Sequence, residues 1–378
     1  MFQYAPPSGY LALCSSNLPD TTISPAQSTQ ATDYFNTRLY TGDGQTTQAI
    51  TGVGFQPDWL WIKERSSTSD HVLVDSSRGA SKFLVSNSTQ AESTATSIHQ
   101  SFDSDGFTVG SSGATNQDNE TYVSWNWKAN GGTTSSNTDG DITSTVQANT
   151  DAGFSIVTFT GNGTDGSTVG HGLGVKPAWY IVKDRDTNSA GHWMVYHHEL
   201  SNPRDNMFLN LEAAANPQGF GTTDPASATT FKPAKLNYNN VSGNDYVAYV
   251  FAEVKGYSRF GHYIATGTSG DSAPFVYTGF RPAFVMVKNS SSSSYADWVL
   301  FDNKRNPHNI VDEYLNTFSE AEFTGGSTYP FMDFTSNGFK LRLGGTGSQV
   351  AYAVNRASGD RYIYAAFAEQ PFKFSNAR

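Results

Sequence analysis

Gly54-Phe55-Gln56-Pro57-Asp58-Trp59-Leu60-Trp61-Ile62-Lys63 decides the reading of this chain, because the phrase is written three times. It returns as Gly174-Val175-Lys176-Pro177-Ala178-Trp179-Tyr180-Ile181-Val182-Lys183 and again as Gly279-Phe280-Arg281-Pro282-Ala283-Phe284-Val285-Met286-Val287-Lys288. Each copy follows a segment that opens on Phe and closes on Thr-Gly: Phe35–Gly42, Phe154–Gly161 and Phe260–Gly267. Each ends on a second phrase, Tyr122–Trp127, Tyr246–Phe251 and Tyr362–Phe367. The copies lie 120 and then 105 residues apart. That is a domain-sized spacing, so the chain reads as three copies of one domain and not as a short-period solenoid.

Inside each copy the period is two. Trp59, Trp61 and Lys63 share one strand face and Leu60 and Ile62 the other. Both faces are apolar in all three copies, which predicts a strand covered on both sides, as at the centre of a sandwich. Further strands are expected at Val72–Asp75, Trp193–Tyr196 and Trp298–Asp302, and at Asp105–Val109 and Asn337–Leu341. The Asp-Gly and Asn-Gly pairs that open the last two suit tight turns. Residues 309–320 are the one helix candidate, whereas Lys82–Ser86 and Met207–Leu211 read as strands. The expected fold is all-β, three tandem β-sandwich repeats of jelly-roll-like type with little or no helix. The boundaries are an N-terminal arm or connector at 1–33, repeat 1 at 34–130, a linker at 131–150, repeat 2 at 151–256, and repeat 3 with the C-terminal tail at 257–378.

Composition agrees with this class. Hydrophobic residues make up 37% and charged residues 15% of the 378, and Gly, Ser, Thr and Asn supply neutral polar turns. A net charge of −10 and the lack of a basic run argue against nucleic acid as a partner. No apolar run is long enough for a membrane-spanning helix. The N-terminus lacks the pattern of a secretory signal, so the chain is expected to be made in a cytoplasm and released by lysis. The single cysteine, Cys14, excludes an internal disulfide and a cysteine zinc cluster, and reads as a small neutral residue.

The phrases at Gly54–Lys63, Trp298–Arg305, Tyr246–Glu253 and Phe372–Arg378 together resemble a repeat domain of structural proteins in tailed, often marine, bacteriophages. The resemblance covers roughly 34–378. It implies a place in the virion, most often a tail fibre or similar appendage contributing to host-surface recognition. A capsid decoration or head-fibre role is the alternative, and a polysaccharide depolymerase a third. It also implies other virion proteins as partners, with self-association into a homotrimer. The opening Phe2–Tyr10 looks like the end of a SPRY-like domain that precedes such repeats in that family. In that setting the repeats are expected to stack into an extended rod.

Candidate chemistry is sparse, and the chain does not read as an enzyme. His197-His198-Glu199 lacks the spacing of a zinc motif, and adjacent strand residues point to opposite faces. Asp103-Ser104-Asp105-Gly106 and Asn137–Asp141 lack the ligand order of a calcium loop and read as turns. Glu253 and Glu369 recur between repeats, but repeat 1 has Ala129 there, against a paired-carboxylate glycosidase. No catalytic, cofactor or metal residue is assigned. Aromatics shared by all copies, such as Trp59/Trp179/Phe284, are expected in the core. Ligand-binding aromatics should lie where the copies differ. Tyr295 and Tyr329, in loops of the third repeat, are the residues expected to stack on a host glycan.

Overall fold

The computed structural model describes residues 17–187, 191–217, 219–233, 239–293, 296–345 and 352–375. Repeat 1 contains β1 (Phe35–Thr41), β2 (Gln48–Thr51), β3 (Trp59–Glu64), β4 (Val72–Asp75), β5 (Lys82–Val85), β6 (Ser93–Thr94), β7 (His99–Asp103), β8 (Gly106–Val109) and β9 (Thr121–Trp127). Its larger sheet has the order β1-β9-β3-β4-β5-β6, and β2-β8-β7 form a smaller sheet. Leu60, Ile62, Val72 and Val74 of the larger sheet bury against Ile50, Phe107 and Val109 of the smaller one. This is the expected sandwich. One four-residue helix, α1 (Gly113–Asn116), precedes β9.

Repeat 2 comprises β10 (Ser135–Asn137), β11 (Ser144–Asn149), β12 (Phe154–Thr160), β13 (Val169–Gly170), β14 (Trp179–Asp184), β15 (Met194–His197), β16 (Met207–Phe208), β17 (Thr230–Phe231) and β18 (Asp245–Phe251). Seven of these form one sheet, and β13 and β17 pair over it. Repeat 3 comprises β19 (Ser258–Ile264), β20 (Phe275–Tyr277), β21 (Phe280–Asn289), β22 (Val299–Asp302), β23 (Glu313–Asn316), β24 (Phe323–Thr324), β25 (Met332–Thr335), β26 (Gly338–Leu341) and β27 (Arg361–Pro371). Its sheets follow repeat 1, with orders β19-β27-β21-β22-β23-β24 and β20-β26-β25.

The second apolar face of each large sheet is not covered by another sheet of its own sandwich. It faces the other two repeats. Trp59 stacks on Tyr249 at 4.3 Å, Phe35 on Phe367 at 5.2 Å, and Trp179 lies 5.7 Å from Phe260. These contacts join repeats 1 and 2, 1 and 3, and 2 and 3. Trp59, Trp61, Trp125, Trp127, Trp179, Trp193, Phe251 and Phe284 sit in one continuous cluster. The repeats therefore close into a ring around one aromatic core, not into an extended rod. Burying a tryptophan removes on the order of 200 Å² from water, a gross gain of about 5 kcal/mol. The shared core accordingly dominates the cohesion of the body.

Backbone hydrogen bonds repeat around the ring. Glu92 N–H donates to Arg185 O at 2.7 Å, Ala215 to Ser290 O at 3.0 Å, and Glu322 to Arg65 O at 2.8 Å. Each repeat thus reaches the next, and the third returns to the first. Lys63, Lys183 and Lys288 are fully buried beside these seams. Lys183 donates to Thr89 O of repeat 1, and Lys288 to Leu211 O of repeat 2. Burial pushes their ammonium groups down, to about 8 for Lys63 and Lys183 and about 7 for Lys288.

Four expectations are corrected. Residues 131–150 are not a linker, because β10 and β11 extend the sheet of repeat 2. The chain there is clamped by buried Asp58, which accepts from the backbone of Ala129, Gly131 and Gly132 at 2.8–2.9 Å. The described part of the 1–33 arm is docked onto the body: Ile23 and Ala31 enter the shared core, and Asp20 pairs with Lys373 at 2.9 Å. The 309–320 helix candidate forms β23, held against β22 and β24. Finally, the lead-in Phe260–Gly267 is two residues out of register. Ser258, not Phe260, opposes Phe367 as Phe35 opposes Trp127. Register follows the stack of Tyr263 on Tyr362 at 5.2 Å, matching Tyr40 on Tyr122.

Candidate functional site: an aromatic groove on the third repeat

Positions that differ between repeats become readable once the register is known. Ile50, Val169 and Val276 occupy one place, each opposite a buried phenylalanine (Phe107, Phe231, Phe339). Around it the first repeat carries Ala49 and Thr51 and the second Thr168 and Gly170, but the third carries Phe275 and Tyr277. Strand alternation buries Val276 and turns both rings outward, Phe275 48% and Tyr277 61% exposed. The sandwich does not require these rings, since two repeats form without them.

Tyr277 stands between two depressions. One, of about 410 Å³, runs between the loop at Glu253–Gly256, the C-terminal segment Pro371–Phe374, and Tyr277. The other, of about 260 Å³, is floored by Gly261 and Tyr364 and reaches Glu199 and His262. Arg259 and Tyr277 line both. Gly261 pairs with Tyr364 where repeat 1 pairs Arg38 with Ser124 and repeat 2 pairs Val157 with Ala248. A Cβ at position 261 would lie 2.5 Å from the Tyr364 hydroxyl, so the glycine makes room for the tyrosine. Phe372 and Phe374 of the C-terminal tail are half-buried at the groove's edge.

The polar groups of the groove come in pairs. Arg259 Nη1 lies 2.5 Å from Glu253 Oε1. Burial pulls the Arg259 guanidinium down, but Glu253 outweighs it and holds the group above its ordinary value. His262 Nδ1 lies 2.8 Å from Glu199 Oε2, and Arg361 Nε donates to the Glu199 carbonyl at 2.8 Å. Lys255 is exposed and forms no ion pair among the described residues. This set can bind, by stacking and by donating and accepting hydrogen bonds.

Of the residues singled out in the sequence, Glu199 and Glu253 line the groove. Tyr295 and Cys14 lie outside the described residues. Tyr329 is half-buried and packs edge-on against Phe323 at 5.9 Å. His197 ends β15 and His198 begins the following turn, so strand alternation does not separate them. His197 Nε2 donates to Tyr364 O at 3.1 Å and His198 Nε2 to Phe260 O at 2.7 Å, both in repeat 3. Glu253 and Glu369 are each held by an arginine, Arg259 and Arg281 at 2.5 Å. Asp103 accepts from Ser101 and Thr108, and Asp105 from the backbone of Gly52 and Gly54. No cluster of three metal-ligating side chains occurs among the described residues. Phe275, Tyr277 and Arg259 escaped the sequence reading because variation was sought in loops. The contrast with Ala49/Thr51 and Thr168/Gly170 emerges only from strand pairing, because Ile50, Val169 and Val276 stand at different distances before the repeated glycine.

No curated protein matches the chain. One family profile does, described as a domain of unknown function (DUF7483), and it runs across residues 30–371. That span takes in all three repeats as one unit, as the shared core does. The chain is therefore a member of the DUF7483 domain family.

Proposed function

We propose that this chain is a structural protein of a phage particle, serving in a tail fibre or similar appendage that meets the host surface. One observation carries the reading. Three repeats share a single core, and beside the equivalent residues Ile50, Val169 and Val276 the third alone carries exposed rings, Phe275 and Tyr277, over the groove. A closed β-body is a rigid platform on which a recognition surface can vary without disturbing the core. The repeated phrases that resemble virion proteins supply the setting. Its partners would be other virion proteins, further copies of the chain and a host-surface glycan.

The test is location. Gold-labelled antibody on intact particles, followed by cryo-electron microscopy, should place the protein on a tail appendage. Label spread over the capsid lattice would replace this reading by a decoration role. Particles that carry no label would overturn both.

A further inference from the structure

We propose that the groove around Tyr277 binds an acidic oligosaccharide, with sugar faces stacked on Tyr277 and Phe275 and a carboxylate held by Lys255. The inference rests on the host-surface reading above and names the ligand class of that surface. A pyranose has an apolar C–H face and a rim of hydroxyls that both donate and accept. The groove offers the matching set. Phe275 and Tyr277 present two rings on one strand face, about 7 Å apart along the strand at 3.3 Å per residue. Glu253, in the connection before β19, and Arg259, on that strand, set donors beside acceptors at 2.5 Å next to Tyr277. The depression of about 410 Å³ falls within the usual range for small-ligand sites, and the second extends it past Tyr277 for a further unit.

Charge selects among sugars. The whole chain carries −10. At the larger depression, however, Arg259 is balanced by Glu253 and Lys373 by Asp20, which leaves Lys255 as the uncompensated group. A local cation in an acidic chain favours an anionic ligand and disfavours phosphate-rich polymers, which the rest of the surface repels. Uronic acids and similar carboxylated sugars meet both requirements.

The experiment is a glycan array of acidic and neutral oligosaccharides, followed by calorimetric titration of the full chain at low and high salt. Acidic oligosaccharides should bind and neutral ones should not. Tyr277→Ala should weaken binding about tenfold or more, equivalent to about 1.4 kcal/mol. Lys255→Gln should weaken it as well and remove most of its salt dependence. Both side chains are exposed, so circular dichroism and the unfolding midpoint should stay at the parental values. An array without acidic hits, equal binding of neutral sugars, or unchanged affinity in Tyr277→Ala would overturn the proposal. Since particle labelling is scored independently of sugar binding, a failed array leaves the appendage reading standing, and misplaced label leaves the groove's affinity standing.

Discussion

The three seams of the ring are built from one backbone pattern but two different chemistries. Between repeats 1 and 2 a buried relay runs from Asp75 to Arg78 at 2.5 Å, on to Glu92 at 3.0 Å, and across to Arg185 at 2.9 Å. Tyr249 of repeat 2 donates to Asp75 at 2.8 Å. The seam between repeats 3 and 1 repeats this through Asp302, Arg305, Glu322 and Arg65, with Trp125 donating to Asp302 at 3.1 Å. At the seam between repeats 2 and 3 the corresponding residues are His197, Leu200, Ala215 and Ser290. Here a neutral imidazole and a buried leucine replace four charges, and the Tyr249/Trp125 position is Ala365. The comparison teaches that the shared core and the backbone bonds close the ring, while the relay is one of two ways to fill the space beside them. The seam without the relay is also the one over which Glu199 and His262 form part of the groove, with Arg361 donating to the Glu199 carbonyl.

The largest expected effect comes from breaking a relay halfway. Asp302→Ala leaves the buried Arg305 side chain with Glu322 as its one remaining carboxylate, and should cost about 3 to 5 kcal/mol in denaturant unfolding. A cost near zero would mean that the buried charges are not coupled to the fold. Transplanting the other chemistry sharpens the point. The quadruple change Asp75→His, Arg78→Leu, Glu92→Ala and Arg185→Ser should cost less than Asp75→Ala alone, because no buried charge of the relay is stranded. If the quadruple variant proves the weaker of the two, the seams are not interchangeable.

Acid should act through the buried histidines, with His197 at the seam between repeats 2 and 3 among them. Burial, with help from His198, pulls His197 down to about 3, and burial lowers His71, His99 and His171 as well. A folded-state value below the unfolded one near 6.5 means that the unfolded chain takes up protons first. The histidine contribution to stability is therefore complete above about 6.5 and lost as pH falls from there toward the folded values. His197→Asn should flatten that slope in urea titrations at successive pH values, and an unchanged slope would remove His197 from the account. The buried lysines act in the same direction at higher pH. Their folded values near 7 to 8 lie below the unfolded 10.5, so stability should rise with pH through that interval. Lys288→Met should lessen the rise. Above pH 10 the buried tyrosines, Tyr180 and Tyr249 among them, oppose it because burial raises them.

The smallest effect belongs to the groove. Tyr277→Ala should alter stability by no more than about 0.5 kcal/mol, as expected for an exposed side chain. A larger loss in thermal unfolding would make Tyr277 part of the structure and weaken its assignment to a ligand.

Local pattern determined much of this protein. Alternation in Trp59–Lys63 and its two counterparts settles that these segments are strands with two buried faces, because period two sends successive side chains to opposite sides. The repeat settles that three such units exist. What covers the second face was decided only in three dimensions. An apolar face declares that it must be buried, but its partners here lie about 80 to 330 residues away in sequence, as in Trp179 with Phe260 and Phe35 with Phe367, and nothing local distinguishes a sister sheet from a sister repeat. The two-residue shift of Phe260 was equally hidden, since register depends on pairing with Tyr362–Phe367 across the sheet and not on resemblance to Phe35. The site divided in the same way. The rule that ligand contacts lie where repeats differ was available from the chain alone, but applying it required knowing which residues are equivalent. The closeness of Glu199 to His262, 63 residues apart in the chain, arises from the packing of repeat on repeat, which sequence order does not encode locally.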